Sequence, residues 1–141
     1  MHRRHLIAAS AALAFPLLGR AQAWPAKPIR VVVPFTPGGT TDFVTRLVMV
    51  EVAKSLGQTI VVENKPGAGT VIGVDSVAKS APDGYTLGIA SPVNHLAAPS
   101  LYPKLPYDSI KDFTPVGLIA SVPMVLAVGP SSPAKSVNEL L

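Results

Sequence analysis

The stretch Ile29-Arg30-Val31-Val32-Val33-Pro34-Phe35-Thr36-Pro37-Gly38-Gly39-Thr40-Thr41-Asp42 decides how this chain is read. Ile29 to Val33 is a short, β-branched run, which predicts a buried strand. From Phe43 onward, apolar residues recur at helical spacing. Two prolines and two adjacent glycines therefore make the turn from strand to helix, with Thr40, Thr41 and Asp42 available to cap it and Asp42 the natural N-cap. A glycine turn feeding a helix leaves several N–H groups unpaired at the positive end of the helix dipole. That is a seat for an anion.

Outward from this seat the pattern repeats. Phe43, Leu47, Val50 and Ala53, with Val44, Val48 and Leu56, predict one broad apolar helix face, and Gly57 is placed to end the helix as a left-handed cap. Thr59 to Glu63 reads as a second strand, so the first unit is strand, helix, parallel strand with a right-handed crossover. Asn64-Lys65-Pro66-Gly67-Ala68-Gly69-Thr70 is another glycine loop, followed by a predicted helix over 71–80. After the turn Ala81-Pro82-Asp83-Gly84, Tyr85 to Ala90 reads as a third strand ending in the polar loop Ser91-Pro92-Val93-Asn94-His95. Ligands of open α/β sheets bind beyond the carboxyl ends of the strands, where all three loops fall. The tyrosines at 102 and 107, in an irregular proline-containing segment, read as packing residues. Val116 to Ala120 and Met124 to Val128 read as two short strands, or one interrupted at Pro123. Ser136 opens a helix on which the chain stops, which reads as a fragment ending inside an element.

The first residues belong to export rather than to the fold. His2-Arg3-Arg4-His5 is a basic start, Leu6 to Leu18 is apolar, and Ala21-Gln22-Ala23 has the small residues of a cleavage site, so residues 1–23 read as a signal peptide cleaved after Ala23. The apolar run is too short for a membrane anchor and is interrupted by Pro16. The Arg3-Arg4 pair alone does not specify twin-arginine export, and the general secretory route is the simpler reading. Loss of Arg3, Arg4 and Arg20 takes the formal net charge from +4 to +1. No electrostatic footprint for nucleic acid remains. With no cysteine in the chain, stability rests on a core rather than on disulfides.

Several chemistries are excluded by spacing. In Gly67-Ala68-Gly69-Thr70-Val71-Ile72-Gly73 the third glycine of a dinucleotide fingerprint would fall at Ile72, and no P-loop pattern occurs. His95 is the only histidine after the signal, with no nucleophile elbow and no metal-ligand partners at suitable spacing. Neither a cofactor nor a metal is expected, and no residue is assigned a catalytic role.

The run Trp24-Pro25-Ala26-Lys27-Pro28-Ile29-Arg30-Val31-Val32-Val33-Pro34-Phe35, then Pro37-Gly38-Gly39-Thr40-Thr41-Asp42, resembles the start of Bug-type proteins, the periplasmic solute-binding receptors of tripartite tricarboxylate transporters. Val62-Glu63-Asn64-Lys65-Pro66-Gly67-Ala68-Gly69, Ala81-Pro82-Asp83-Gly84-Tyr85-Thr86-Leu87, Leu101-Tyr102-Pro103-Lys104-Leu105-Pro106-Tyr107-Asp108 and Pro133-Ala134-Lys135-Ser136-Val137 continue the resemblance in order. It implies a periplasmic-binding-protein-like α/β lobe with a mostly parallel sheet and helices on both faces. Residues 24–120 would form this lobe, and 121–141 a crossover strand and the start of a truncated second lobe. It also implies a non-enzymatic receptor in the periplasm that captures a small organic carboxylate (a di- or tricarboxylate, an amino acid or an aromatic acid) and delivers it to membrane transporter subunits. By position, the ligand would be held at Phe35, Gly38, Gly39, Thr40, Thr41 and Asp42, at Gly67, Ala68, Gly69 and Thr70, and at Ser91, Asn94 and His95. Thr70 stands where the family usually has glycine, and Ala98 where asparagine is common. The alternative from another class is an exported α/β hydrolase or transferase fragment whose catalytic residues would lie in a missing C-terminal part.

Overall fold

The computed structural model describes residues 23–123 and 125–141. The proposed signal sequence therefore lies almost wholly outside the described residues, as does Met124. Strand β1 runs Ile29–Val33, helix α1 Thr40–Leu56, β2 Ile60–Asn64, α2 Val71–Ala78 and β3 Thr86–Gly88. Short helices follow at Ala98–Leu101 (α3) and Val137–Leu140 (α4). The sheet order is β2-β1-β3, and both pairings are parallel.

A central parallel strand needs cover on both faces, and the β-branched run supplies it. Ile29, Val31, Val32 and Val33 are all buried. Ile29 aligns with Ile60 and Val33 with Asn64, while Val32 aligns with Gly88 on the other side. Neighbouring residues of β1 point to opposite faces, so Asn64, level with Val33, and Gly88, level with Val32, mark the two faces. α1 reaches Asn64 through hydrogen bonds from its first two turns. α2 lies on the other face, where a Cβ on Gly88 would come within 3.0 Å of Val77. Helices thus cover both faces of a parallel sheet, as expected.

Two expectations fail. Phe43, Leu47 and Val50, read as the buried face of α1, are 65%, 61% and 54% exposed. The rest of that expected face, Val44, Val48, Ala53 and Leu56, is half-buried, and the inward line is completed by Thr45, which is buried, with Thr41 and Val52 half-buried. The helix begins at Thr40, three residues earlier than the apolar pattern implied, and Asp42 is drawn into the interior by its hydrogen bonds. At about 100° per residue, that anchoring rotates the Phe43 stripe to solvent. The strands expected at 116–120 and 124–128 are also absent among the described residues, where Val116, Leu118 and Val125 are exposed. A strand is completed by its neighbours, and no described residue pairs with this segment.

α2 crosses the end of β1 at close range because residue 73 has no side chain. A Cβ there would lie 2.6 Å from the Lys65 carbonyl oxygen and 2.7 Å from the Pro34 Cβ. Gly39, by contrast, has an ordinary extended backbone (φ −77°) with its nearest neighbour at 3.8 Å. Gly73→Ala is therefore expected to lower the unfolding free energy by roughly 1–3 kcal/mol through overpacking, while Gly39→Ala leaves it within about 0.5 kcal/mol. Urea denaturation of the two variants checks the contrast.

Candidate functional site

The parallel order brings the carboxyl ends of β2, β1 and β3 side by side, and the three loops leave from them. Loop 1 (34–39) leaves the central strand. Gly38 takes a left-handed turn (φ +83°) and Gly39 is the N-cap of α1, with no side chain bonded across it. The first intrahelical bond runs from the Phe43 N–H to the Gly39 carbonyl. Among the described residues, the N–H groups of Gly39, Thr40, Thr41 and Asp42 have no acceptor. Gly39 and Thr40 are exposed, Thr41 is half-buried and Asp42 is buried, so the donor row runs inward from the solvent edge along the helix N-terminus.

Asp42 is not the N-cap that its position suggested. It sits in the first turn of α1, buried, and turns back toward the loop: Gly38 N–H donates to its Oδ2 at 2.9 Å. Arg46 Nε and Asn64 Nδ2 donate to its Oδ1 at 2.9 and 3.0 Å. Arg46, the Gly38 amide and Asn64 together hold the carboxyl far below its ordinary value, at about 2, against the opposing effect of desolvation. The Gly38 N–H and the Asp42 carboxylate are thereby both spent inside the protein.

Loop 2 begins with the Lys65 N–H bonded to the Val33 carbonyl at 2.8 Å. Four consecutive residues then have positive φ: Gly67 (+127°), Ala68 (+45°), Gly69 (+60°) and Thr70 (+83°). For alanine, and more so for β-branched threonine, this is a strained conformation. The Thr70 N–H bonds the Gly67 carbonyl, and its hydroxyl is buried with no partner among the described residues. Ala68 and Gly69 keep N–H groups without an acceptor among the described residues and are exposed. Tyr102 packs its hydroxyl end onto Gly69, where any Cβ would collide with it. Lys65 pairs with Glu63 at 3.5 Å and Arg46 with Asp42, so an anion at either loop would meet amide dipoles before any free cation.

Loop 3 is built around Asn94, which is fully buried. Its Oδ1 accepts from the Ser91 N–H at 2.7 Å, and its Nδ2 donates to the Ile89 carbonyl at 3.0 Å. His95 Nδ1 lies 2.7 Å from the same Oδ1. An amide oxygen only accepts, so the proton is assigned to Nδ1 and neutral His95 presents a lone pair at Nε2. Burial pushes its pKa below the usual histidine value, and its ring meets Phe113 edge-on at 4.9 Å. His95 is thus an uncharged acceptor at neutral pH. It also lines an open cavity of about 680 Å³ with Tyr102, Tyr107, Asp108 and Ser109, in which no other proposed site residue takes part. Ala98, where asparagine was expected, is buried.

The geometry gathers Gly39, Thr40, Thr41, Asp42, Ala68 and Gly69 as backbone donors on neighbouring strand ends. The side chains of Asp42 and Asn64, and of Asn94 in loop 3, work as internal staples. Sequence reasoning missed Asn64 and Arg46 as site residues. The signal for Asn64 was a polar residue closing a β-branched strand immediately before a glycine loop. Among the described residues, no group of His, Asp and Glu could hold a metal ion, and no helix is long and apolar enough to cross a membrane.

Residues 44–141 match the family described as tripartite tricarboxylate transporter family receptor. The chain belongs to that family. BugT of Bordetella pertussis is 44% identical over 134 residues, covering 94% of this chain and 40% of BugT. Among solved structures, MatC of Rhodopseudomonas palustris with bound malate is 50% identical at a TM-score of 0.66, covering 68% of this chain and 33% of MatC. A second R. palustris protein, solved with adipate, is 41% identical at a TM-score of 0.70, covering 83% of this chain and 39% of that one. The chain spans 36% to 45% of the length of its curated relatives. The resemblance read from the residues is borne out, and so is the periplasmic-binding-protein-like α/β fold. The family is one of receptors, and relatives are described as periplasmic.

Because the Asp42 carboxyl is depressed from 3.8 to about 2, it contributes stability that is fully present above its unfolded value and lost as pH falls through the folded value. Melting temperature is expected to fall more steeply between about pH 4 and pH 2 in the parent chain than in Asp42→Asn, which starts lower and loses this part of the slope. Melting curves across that range, followed by circular dichroism, read the difference.

Proposed function

We propose that this chain carries one wall of a receptor site for a small organic carboxylate. The observation that supports this is the set of N–H groups at Gly39, Thr40, Thr41, Asp42, Ala68 and Gly69 that have no acceptor among the described residues, on adjacent strand ends whose nearby cations Arg46 and Lys65 are paired with Asp42 and Glu63. A carboxylate accepts several hydrogen bonds at once, and amides fixed by a helix start and a left-handed loop meet it without reorganisation. Malate and adipate, named with two relatives, are both dicarboxylates, so a second carboxylate pointing away from these loops is compatible with the same seat. Di- and tricarboxylates, amino acids and aromatic acids form the candidate ligand class.

The remaining family features are carried as proposals. The protein would be exported, with cleavage after Ala23, and would work in the periplasm. It would hand its ligand to membrane transporter subunits without chemical change. Phe35 and Gly67, whose N–H groups also lack an acceptor among the described residues, would add donors, whereas Gly38, Thr70, Ser91, Asn94 and His95 would shape the site rather than donate to the first carboxylate. The reasons are internal use of the Gly38, Thr70 and Ser91 N–H groups and of the Asn94 side chain, and the lone pair at His95.

Isothermal titration with malate, adipate and a neutral sugar tests the reading. Carboxylates are expected to bind and the sugar not to. Gly39→Val, whose backbone conformation suits a β-branched residue, is expected to weaken binding by about tenfold or more with its melting temperature little changed. Sugar binding without carboxylate binding, or unchanged affinity in Gly39→Val, contradicts it.

A further inference from the structure

The two donor loops belong to different strands, so a carboxylate spanning them depends on what fixes one loop against the other. Asn64, the last residue of β2, stands directly before loop 2. Its Nδ2 donates to the Phe35 carbonyl at 3.1 Å and to Asp42 Oδ1 at 3.0 Å, and its Oδ1 accepts from Arg46 Nη2 at 2.7 Å. Both amide hydrogens face acceptors and the oxygen faces a donor, which also settles the amide orientation. Asp42 completes the link through its bond from the Gly38 N–H. Loop 1 is therefore tied to a side chain at the root of loop 2 directly through the Phe35 C=O and, by way of Asp42, through the Gly38 N–H.

The same cluster places an ionised carboxylate next to donors read as an anion seat. An unpaired negative charge there would repel a bound carboxylate, and its effect grows where water is excluded. Arg46 Nε, 2.9 Å from Asp42 Oδ1, balances it. The Arg46 side chain is half-exposed whereas that of Asp42 is buried, so the arginine closes the cluster from its solvent side.

We propose that Asp42, Arg46 and Asn64 form a positioning staple that sets the separation of the two amide loops, with Arg46 serving as the counter-ion that keeps the Asp42 charge from opposing a bound carboxylate. None of the three side chains needs to touch the ligand. The counter-ion role rests on the carboxylate reading above, whereas the staple itself does not.

The test has a ligand-free and a ligand-bound arm. In backbone NMR of the chain without ligand, Asn64→Ala is expected to speed exchange of the Gly38 amide about tenfold or more and to shift amide resonances in both 38–41 and 67–70. Unchanged Gly38 exchange with unmoved loop 2 resonances overturns the staple, whatever the chain binds. With malate as probe, Arg46→Gln is expected to weaken binding about tenfold, and Asp42→Asn added to it to recover part of the loss. Ile29→Val, at the far end of β1, should lower the melting temperature but leave affinity alone. Wild-type affinity in Arg46→Gln, or no recovery in the double variant, overturns the counter-ion role. A parent chain that binds no carboxylate sinks the proposed function, and with it the counter-ion role, while the ligand-free arm still decides the staple. If Asn64→Ala does not fold, Asn64→Ser read by the same two resonance sets decides it.

Discussion

Asp42 brings a negative charge into the interior and finds three donors there: the Gly38 amide, Arg46 and Asn64. A buried carboxylate without such partners would be costly, and with them it fixes whatever supplies the donors. Here the donors come from loop 1, from the second turn of α1 and from the end of β2. The rotation of α1, the path of loop 1 and the start of loop 2 are consequently one problem with one solution. The side chain that does this is itself unavailable to a ligand, and the backbone around it is what remains open.

That division of labour runs through the whole strand-end surface. Asn94 does in loop 3 what Asn64 does between loops 1 and 2, spending both ends of its amide on holding backbone. Loop 2 instead holds its shape through four left-handed residues and Tyr102 packed on Gly69. Backbone strain of this kind persists where surrounding structure over-determines it, and here it leaves the amides of exposed Ala68 and Gly69 without an acceptor among the described residues. The family is one of receptors, and the strand-end surface offers main-chain donors while its polar side chains are spent on holding the loops.

Much of this was legible in the residues. Ile29 to Val33 could only be a doubly covered strand, Gly57 ended α1 in the left-handed conformation expected of it, and two glycine loops announced their strand ends. What could not be read was set by partners distant in the chain. The line Phe43, Leu47, Val50 is as good a helical stripe as Thr41, Thr45, Val48, Val52, and a polar contact between residues 42 and 64 broke the tie. The run at 116–120 has the composition of a strand, but a strand exists only beside a neighbour. Polar loop residues such as Asp42 and Asn94 looked like ligand groups because sequence shows a side chain's chemistry and not whether a nearby backbone group has already used it.

In the receptor role proposed for this chain, main-chain amides on two adjacent loops would hold a carboxylate. A titration of the isotopically labelled chain with malate, followed by amide resonances, tests it most directly. Concerted, saturable shifts are expected at Gly39, Thr40, Thr41, Asp42, Ala68 and Gly69, with Gly38 moving less because its N–H is already bound to Asp42. Shifts confined to the residues around His95 and Tyr107, with the two glycine loops unmoved, would contradict it.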